Sequence, residues 1–268
     1  MAKHRPQLSD SGVHSLHTAT VLDEYGKPRE LSLTGERPLT IYLDKREIVT
    51  LMTMGSQPEL LTLGYLRNQG LVRTIDDIIA IQVDWDVEAV AVTTRQSNPD
   101  LEKILSKRTV TSGCGQGTMF GNVMASLDNL DVKCPQFSPE SIYQVLDGLA
   151  EYNKMYKQAG AVHGCALCSG NQVDVFIEDV GRHNAVDAIS GWMWLNEVSG
   201  HDKVFYTTGR LTSEMIIKVA QMEVPLLLSR SGVTEMGLRL AEKIGIGMVA
   251  RAKGKHFLVY NGQKHFNA

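Results

Sequence analysis

Apolar and polar positions alternate over residues 39–43 and again over 47–52, with Asp44-Lys45 between the two runs. A period of two is the signature of a half-buried strand, so this stretch predicts a hairpin. After Pro58 the spacing changes. Leu60, Leu61, Leu63 and Leu66 recur at helical intervals, with proline in the first turn and Gly70 as the stop. Residues 78–83 and 88–94 return to alternation and predict a second strand pair, and 108–110 lean towards β. Residues 119–127 read as a helix. Residues 1–35 are polar and aperiodic and predict an irregular arm, so 36–137 form the first domain, a small α+β unit crossed by one helix.

The second half has a different rhythm. A connector at 133–137 leads to Ser138-Pro139, a helix start whose pattern runs to about residue 158, before Gly160. Strands follow at 162–167 and 173–178, then a helix at 184–198 and a strand at 204–206. A helix at 213–222, a strand at 225–228, a helix at 233–244 and strands at 246–250 and 256–260 complete the chain. Such alternation predicts an α/β domain over 138–268, a sheet covered by helices with ligand loops at its strand ends. Internal repeats and low-complexity segments are absent from the sequence.

At 268 residues the chain suits one large or two modest domains, and 43% hydrophobic with 21% charged residues is ordinary for a globular protein. A net charge of -3 argues against broad nucleic-acid binding, so no nucleic-acid partner is expected. The first ten residues lack the apolar run of a signal peptide, and no stretch approaches the roughly 18 apolar residues of a membrane span. A cytoplasmic protein with no membrane partner is the expectation. In that compartment the four cysteines, at 114, 134, 165 and 168, suggest free thiols, a metal site or redox chemistry rather than a disulfide framework.

Cys114 lies in Thr111-Ser-Gly-Cys-Gly-Gln-Gly-Thr118, with glycines at 113, 115 and 117. Glycines remove packing neighbours and let a partner's backbone approach, which suits a reactive thiol; an incidental cysteine in a tight turn is the plain alternative. Three strand-to-helix junctions carry glycine, arginine and hydroxyl or imidazole groups: Glu178 to Asn184 with Arg182 and His183, Thr207 to Ser213 with Thr208, Gly209 and Arg210, and Ser229 to Thr234. Each suits a phosphate oxygen or serves as a plain helix cap. If the strands are parallel, the three loops share one sheet edge and together suggest a large ligand with several phosphates. A basic run, Arg251 to His256, precedes Phe257 and Tyr260, two candidate stacking faces. His163-Gly-Cys165-Ala-Leu-Cys168 offers three potential metal ligands, but zinc usually takes four and no second close pair is present, so no metal site is expected.

Ala161-Val-His163, Glu178-Asp-Val-Gly-Arg-His-Asn-Ala-Val-Asp187, Thr208-Gly-Arg210, Ser213-Glu-Met215 and Lys255-His-Phe-Leu-Val-Tyr-Asn-Gly262 resemble the FdhD family, sulfur carrier proteins required for formate dehydrogenase activity. The likeness runs from about Pro38 to Gly262. It implies a cytidine-deaminase-like α/β domain joined to a smaller N-terminal one, and a homodimer. It further implies a sulfurtransferase that takes sulfur from a cysteine desulfurase as a persulfide. The sulfur would pass to the molybdenum cofactor, carried as the bis(molybdopterin guanine dinucleotide), for the formate dehydrogenase catalytic subunit. The family's persulfide cysteine falls on Cys114, while the second cysteine of its Cys-x-x-Cys falls on Gly117, leaving a single-thiol carrier. The family's cofactor-binding stretch falls on Phe257, Leu258, Val259, Tyr260, Asn261 and Gly262, where a guanine nucleotide would also fit. Cys165 and Cys168 are extra to the pattern and are candidate relay thiols. Two other classes remain: a zinc-dependent hydrolase on a deaminase-like fold, whose His-x-Glu and Pro-Cys-x-x-Cys signature is absent, and a cofactor-binding chaperone without sulfur transfer.

Overall fold

The computed structural model describes residues 5–13, 16–96, 98–106, 108–111, 117–120 and 132–268. Cys114, with the rest of 112–116, lies outside the described residues, as does 121–131.

Two sheets organise the chain. The first takes β1 (Gln7–Leu8), β4 (Arg37–Leu43), β5 (Arg46–Thr53), β6 (Ile78–Asp84) and β7 (Ala89–Thr94) in the order β1-β6-β7-β4-β5. The predicted hairpin is β4–β5, and Asp44 and Lys45 both take positive φ, 46° and 71°, the two-residue turn that matches strand twist. Leu39, Ile41 and Leu43 on alternate positions of β4 are buried, which is the burial their period-two spacing anticipates. Residues expected to be irregular instead form a separate antiparallel hairpin, β2 (Leu16–Leu22) with β3 (Pro28–Thr34). Both of its faces are largely open, and Leu22, Leu31 and Leu33 are exposed. The alternation is there, in Thr18-Ala-Thr-Val21 and Leu31-Ser-Leu-Thr34, but it is short and set among polar residues, so the stretch reads as an arm.

The second sheet contains β10 (His163–Ser169), β11 (Gln172–Asp179), β12 (Val204–Thr207), β13 (Leu226–Ser229), β14 (Gly247–Lys253) and β15 (His256–Asn261) in the order β11-β10-β12-β13-β14-β15. β12, β13 and β14 are parallel, whereas β10 runs against both its neighbours and β15 runs against β14. The architecture is therefore a mixed α/β one. A further pair, β8 (Arg108–Thr111) with β9 (Gly117–Phe120), corrects the expected helix at 119–127 at its start, because Met119 and Phe120 lie in a strand.

Seven α-helices are described. α1 (Pro58–Asn68) follows β5, and α2 (Leu101–Ser106) follows β7. The helix expected over 138–158 is two, α3 (Pro139–Leu149) and α4 (Lys154–Ala159). The break has a tertiary cause: the Glu178 carboxylate accepts the Met155 and Tyr156 backbone N–H groups at 3.1 and 3.0 Å, capping α4 from β11. α5 (Arg182–Leu195), α6 (Ser213–Gln221) and α7 (Glu235–Ile244) each follow a strand of the second sheet.

One hydrophobic cluster runs through both sheets, joining Leu39, Ile41, Leu63 and Leu66 to Ile189, Phe205, Ile216 and Leu227. Its seam is the α1–α5 contact. A β-carbon on Gly64 would fall 1.6 Å from the Asp187 carbonyl oxygen, and one on Gly191 would fall 2.0 Å from that of Leu60. The two helix backbones therefore touch, and only glycine permits it. A second cluster on the other face of the second sheet packs Ile142, Val145 and Leu149 of α3 on Ala166, Tyr206, Leu228 and Val249.

Candidate ligand-binding edge

β11, β12 and β13 point the same way, so their C-terminal loops gather at one edge of the second sheet. The loop after β11 is folded by Asp179, which is buried. Its Oδ1 accepts Gly181 N–H (3.0 Å) and Asn184 Nδ2 (2.8 Å), and its Oδ2 accepts Thr53 Oγ1 (2.6 Å) and Met54 N–H (3.1 Å). Four donors on one carboxylate shape the Asp-Val-Gly-Arg-His-Asn run and pin it to the end of β5. Arg182 and His183 are thereby set in the first turn of α5, both buried.

The loops after β12 and β13 lace together. Thr207 Oγ1 accepts Gly209 N–H at 3.0 Å, Arg230 N–H donates to Thr207 O at 3.1 Å, and Leu211 N–H donates to Gly232 O at 3.0 Å. Ser229, expected to bind ligand, is fully buried; its hydroxyl donates to Gly209 O at 2.7 Å and accepts Ser231 N–H at 2.9 Å. Its work is to shape the loops, and Ser231 takes the position facing outward. Gly209 has a steric reason: a β-carbon there would meet the Arg182 side chain at 2.9 Å. Arg210 and Arg230 are exposed at the rim.

These loops border a cavity of about 510 Å³ lined by Tyr156, His163, Val180, Thr208, Arg230 and Ser231 among others. The Arg230 guanidinium lies 6.0 Å from the centre of the half-exposed Tyr156 ring. Cations, hydroxyls and an aromatic face at strand ends can hold a phosphate beside a planar ring system. His163, Tyr156 and Ser231 were not among the binding residues expected from sequence. His163 comes to the edge because β10 is reversed, and its place in Ala161-Val-His163 was the signal available.

His183 Nε2 lies 3.0 Å from Glu214 Oε2, tying the first turns of α5 and α6 together. Burial, reinforced by Lys218, Arg182 and His163, holds this imidazole well below its ordinary value. It is therefore neutral near pH 7 and donates Nε2–H to the carboxylate. Because the folded state resists a proton that the unfolded chain accepts below about pH 6.5, stability falls as pH falls through that value. Between about pH 7 and pH 5 we expect His183 to contribute a loss of about 2 kcal/mol, read in urea melts as the difference in pH dependence between the parent and His183→Gln.

The C-terminal stretch lies elsewhere. Because β15 is antiparallel to β14, Asn261 and Gly262 reach the edge where the parallel strands begin, opposite the three loops. Phe257 packs edge-on against Tyr143 (5.6 Å) and Phe266 (6.0 Å), Val259 joins the second core, and Tyr260 packs against the main one. Leu258 is exposed, Asn261 Nδ2 donates to Ile246 O at 2.7 Å, and Gly262 takes a φ of 92°. Asn261 and Gly262 line a second cavity of about 750 Å³ with Cys134, Gln136, Lys264 and His265. Thus Arg182, His183, Thr208, Gly209, Arg210 and Ser229 come together, while Phe257 to Gly262 form a separate group. Phe257 and Tyr260, the candidate stacking faces, are half-buried and packed against the two cores on one side.

Cys165 and Cys168 sit on opposite faces of β10, one in each core cluster, so the pair cannot share a metal or a disulfide. Burial pushes both thiols up to about 12. That makes them poor thiolates and removes the basis for a relay. No helix is long and apolar enough to cross a membrane among the described residues.

Comparison with known proteins extends over nearly the same span. The chain is 32% identical over 236 residues to the sulfur carrier protein FdhD of Listeria monocytogenes serotype 4b, covering 87% of this chain and 90% of the relative. It is 30% identical over 230 residues to that of Halalkalibacterium halodurans, covering 85% of each. A crystal structure of a protein proposed as a formate dehydrogenase accessory protein from Desulfotalea psychrophila superposes with a TM-score of 0.75 at 25% identity, covering 94% of this chain and 98% of the other. The sequence profile of the FdhD/NarQ family matches residues 34–267, and the chain belongs to that family.

Proposed function

We propose that this protein is a sulfur carrier serving formate dehydrogenase, with Cys114 as the carrier. Membership of the FdhD/NarQ family over residues 34–267 is the observation that carries the proposal. In this reading the Cys114 thiolate attacks the outer sulfur of a persulfide on a cysteine desulfurase. A sulfur–sulfur bond forms on Cys114, and the desulfurase cysteine leaves as thiolate. The outer sulfur then passes to the bis(molybdopterin guanine dinucleotide) form of the molybdenum cofactor, the cargo, before it enters the formate dehydrogenase catalytic subunit: the S–S bond breaks, Cys114 leaves as thiolate, and the two electrons that turn sulfane sulfur into sulfide come from the cargo or from a thiol reductant. One thiol suffices for carriage, so Gly117 in place of a second motif cysteine leaves the step intact.

The loop-bearing edge supports the cargo half of the proposal. Arg182, Thr208, Arg210 and Arg230 offer charge and donors to phosphates, and Tyr156 offers a ring face. The cavity at Asn261 and Gly262 lies at the opposite ends of the strands, displaced by about 20 Å along them, from six residues of β15 at strand rise, and further by the strands that separate β15 from the loops. A ligand touching both has dinucleotide length, or meets the two cavities on different copies of a homodimer. A guanine nucleotide would occupy either cavity as a fragment of the cargo.

Intact-mass measurement after incubation with a cysteine desulfurase and cysteine tests the carrier. The expected product is heavier by one sulfur, and Cys114→Ala is expected to abolish the gain. Gain that persists in Cys114→Ala moves the carrier to another cysteine. Full formate dehydrogenase activation by that variant in cells would favour a chaperone that binds the cofactor without carrying sulfur.

A further inference from the structure

His163 stands at the start of β10, the strand that enters the edge the other loops leave. Its ring borders the 510 Å³ cavity, facing the same space as Thr208, Ser231 and Arg230. Nδ1 lies 3.4 Å from Thr208 Oγ1, and that same oxygen accepts the Gly164 N–H at 3.0 Å. A hydroxyl has one hydrogen. In the neutral Nε2–H tautomer that hydrogen points at Nδ1.

The charges around the ring come from several elements. Arg182 in the first turn of α5 and Arg210 after β12 add to burial in holding the imidazole below its ordinary value. Arg230 borders the cavity from the loop after β13, and neutral His183 lies behind on α5. The nearby carboxylates on β11 are engaged: Asp179 with its four donors, Glu178 with the α4 N–H groups. Glu214 on α6 is held by His183. The ring thus sits among cations with no free anion beside it among the described residues.

We propose that an oxyanion enters this cavity together with a proton, which His163 takes up. The proton comes from solvent and places a hydrogen on Nδ1, which then donates to Thr208 Oγ1. Since that oxygen already accepts from Gly164, its own hydrogen turns from the ring to the cavity. One proton converts the pair into two donors aimed at the anion: Nε2–H of an imidazolium and the Thr208 hydroxyl. The 3.4 Å separation is long for a hydroxyl–imidazole bond and leaves room to tighten when the bond becomes charge-assisted. The inference rests on the edge being a phosphate-binding surface and adds the proton as an obligate companion of the ligand.

Sulfate is the probe, because its charge is constant over the relevant range. Its binding to the full chain is measured at constant ionic strength from about pH 6 to about pH 8, where an unperturbed histidine loses its proton. We expect affinity to fall about tenfold across this window, as reciprocal linkage between proton and anion requires. His163→Gln is expected to flatten the dependence, Thr208→Val to reduce it and Thr208→Ser to restore it. In the unmodified protein, the His163 Hε1 resonance is expected to titrate at higher pH when sulfate is saturating. Sulfate binding with equal affinity at both ends, or a slope that survives in His163→Gln, overturns the proton linkage while leaving the anion site. Absence of sulfate binding at any pH overturns both the linkage and the reading of this edge.

Discussion

Replacing Gly64 with alanine is expected to destabilise the protein by about 3 kcal/mol or more, although alanine is the better helix former by about 1 kcal/mol. The reason lies across the α1–α5 seam. The new methyl would sit 1.6 Å from the Asp187 carbonyl oxygen and 2.7 Å from the Gly191 nitrogen, and neither is a side chain that can rotate away. The helices have to separate, and separation opens the part of the core that joins the two sheets. Gly191→Ala should do the same from the other side, and the double variant should cost less than the sum, because one gap accommodates both methyls. Gly232→Ala is the control: nothing lies within 4 Å of its methyl position, and a change within about 0.5 kcal/mol is expected. Urea unfolding of the four variants and the parent decides the matter. A stabilised Gly64→Ala would mean that the helices do not touch there.

Lys218→Met should cost about 3–5 kcal/mol, because it strands a carboxylate inside the protein. Lys218 Nζ lies 2.6 Å from Asp187 Oδ2, with both side chains buried. Asp187 Oδ1 accepts Asn68 Nδ2 at 2.7 Å, and Asn68 Oδ1 accepts Ser190 Oγ at 2.9 Å. The network therefore links α1, α5 and α6. Removing the ammonium leaves Asp187 with one neutral donor in a site whose burial already pushes its carboxyl up. Lys218→Met combined with Asp187→Leu is expected to recover much of the loss, giving a coupling energy of up to about 3 kcal/mol in a double-mutant cycle. The pH dependence has a definite sign. A carboxyl raised above its unfolded value binds protons more readily when folded, so acidification favours the folded state. The deficit of Lys218→Met relative to the parent should therefore narrow from about pH 7 to about pH 5. A deficit that stays constant would mean Asp187 keeps its charge without Lys218.

What the sequence made legible follows from where burial is one-sided or complete. β4, β5, β6 and β7 are visible because each has one buried face, and β12 and β13 because turn residues bound short apolar runs. The β2–β3 hairpin, open on both faces, carries only a short alternation of Ala19, Val21, Leu31 and Leu33 with Thr and Ser, too brief to stand out from its polar surroundings. The break between α3 and α4 was hidden because its cap, Glu178, is supplied from β11 rather than from the helix's own neighbours. The same distinction governs the site. The three loops rich in glycine, arginine and hydroxyls do lie at one sheet edge, because β11, β12 and β13 point the same way. Which hydroxyls face the cavity depends on tertiary structure: Ser229 turns inward to Gly209, while Thr208 lines the cavity. Strand direction was likewise invisible in composition. It brings His163 to the edge and sends Gly262 away from it.

The cavity's alignment is a property of strand register. On β10, Cys165 pairs with Thr207, its thiol donating to the Thr207 hydroxyl at 3.3 Å, and the neighbouring Gly164 amide is bonded to the Thr208 hydroxyl. These links tie the histidine to the β12 loop through the same ladder that packs the sheet. A slip of one residue would exchange Cys165 and Ala166 between the two cores and point the histidine at the wrong face. An insertion within β10 would not loosen the cavity by degrees. It would remove the imidazole altogether, which makes the length of this strand as strict a requirement as any single side chain on it.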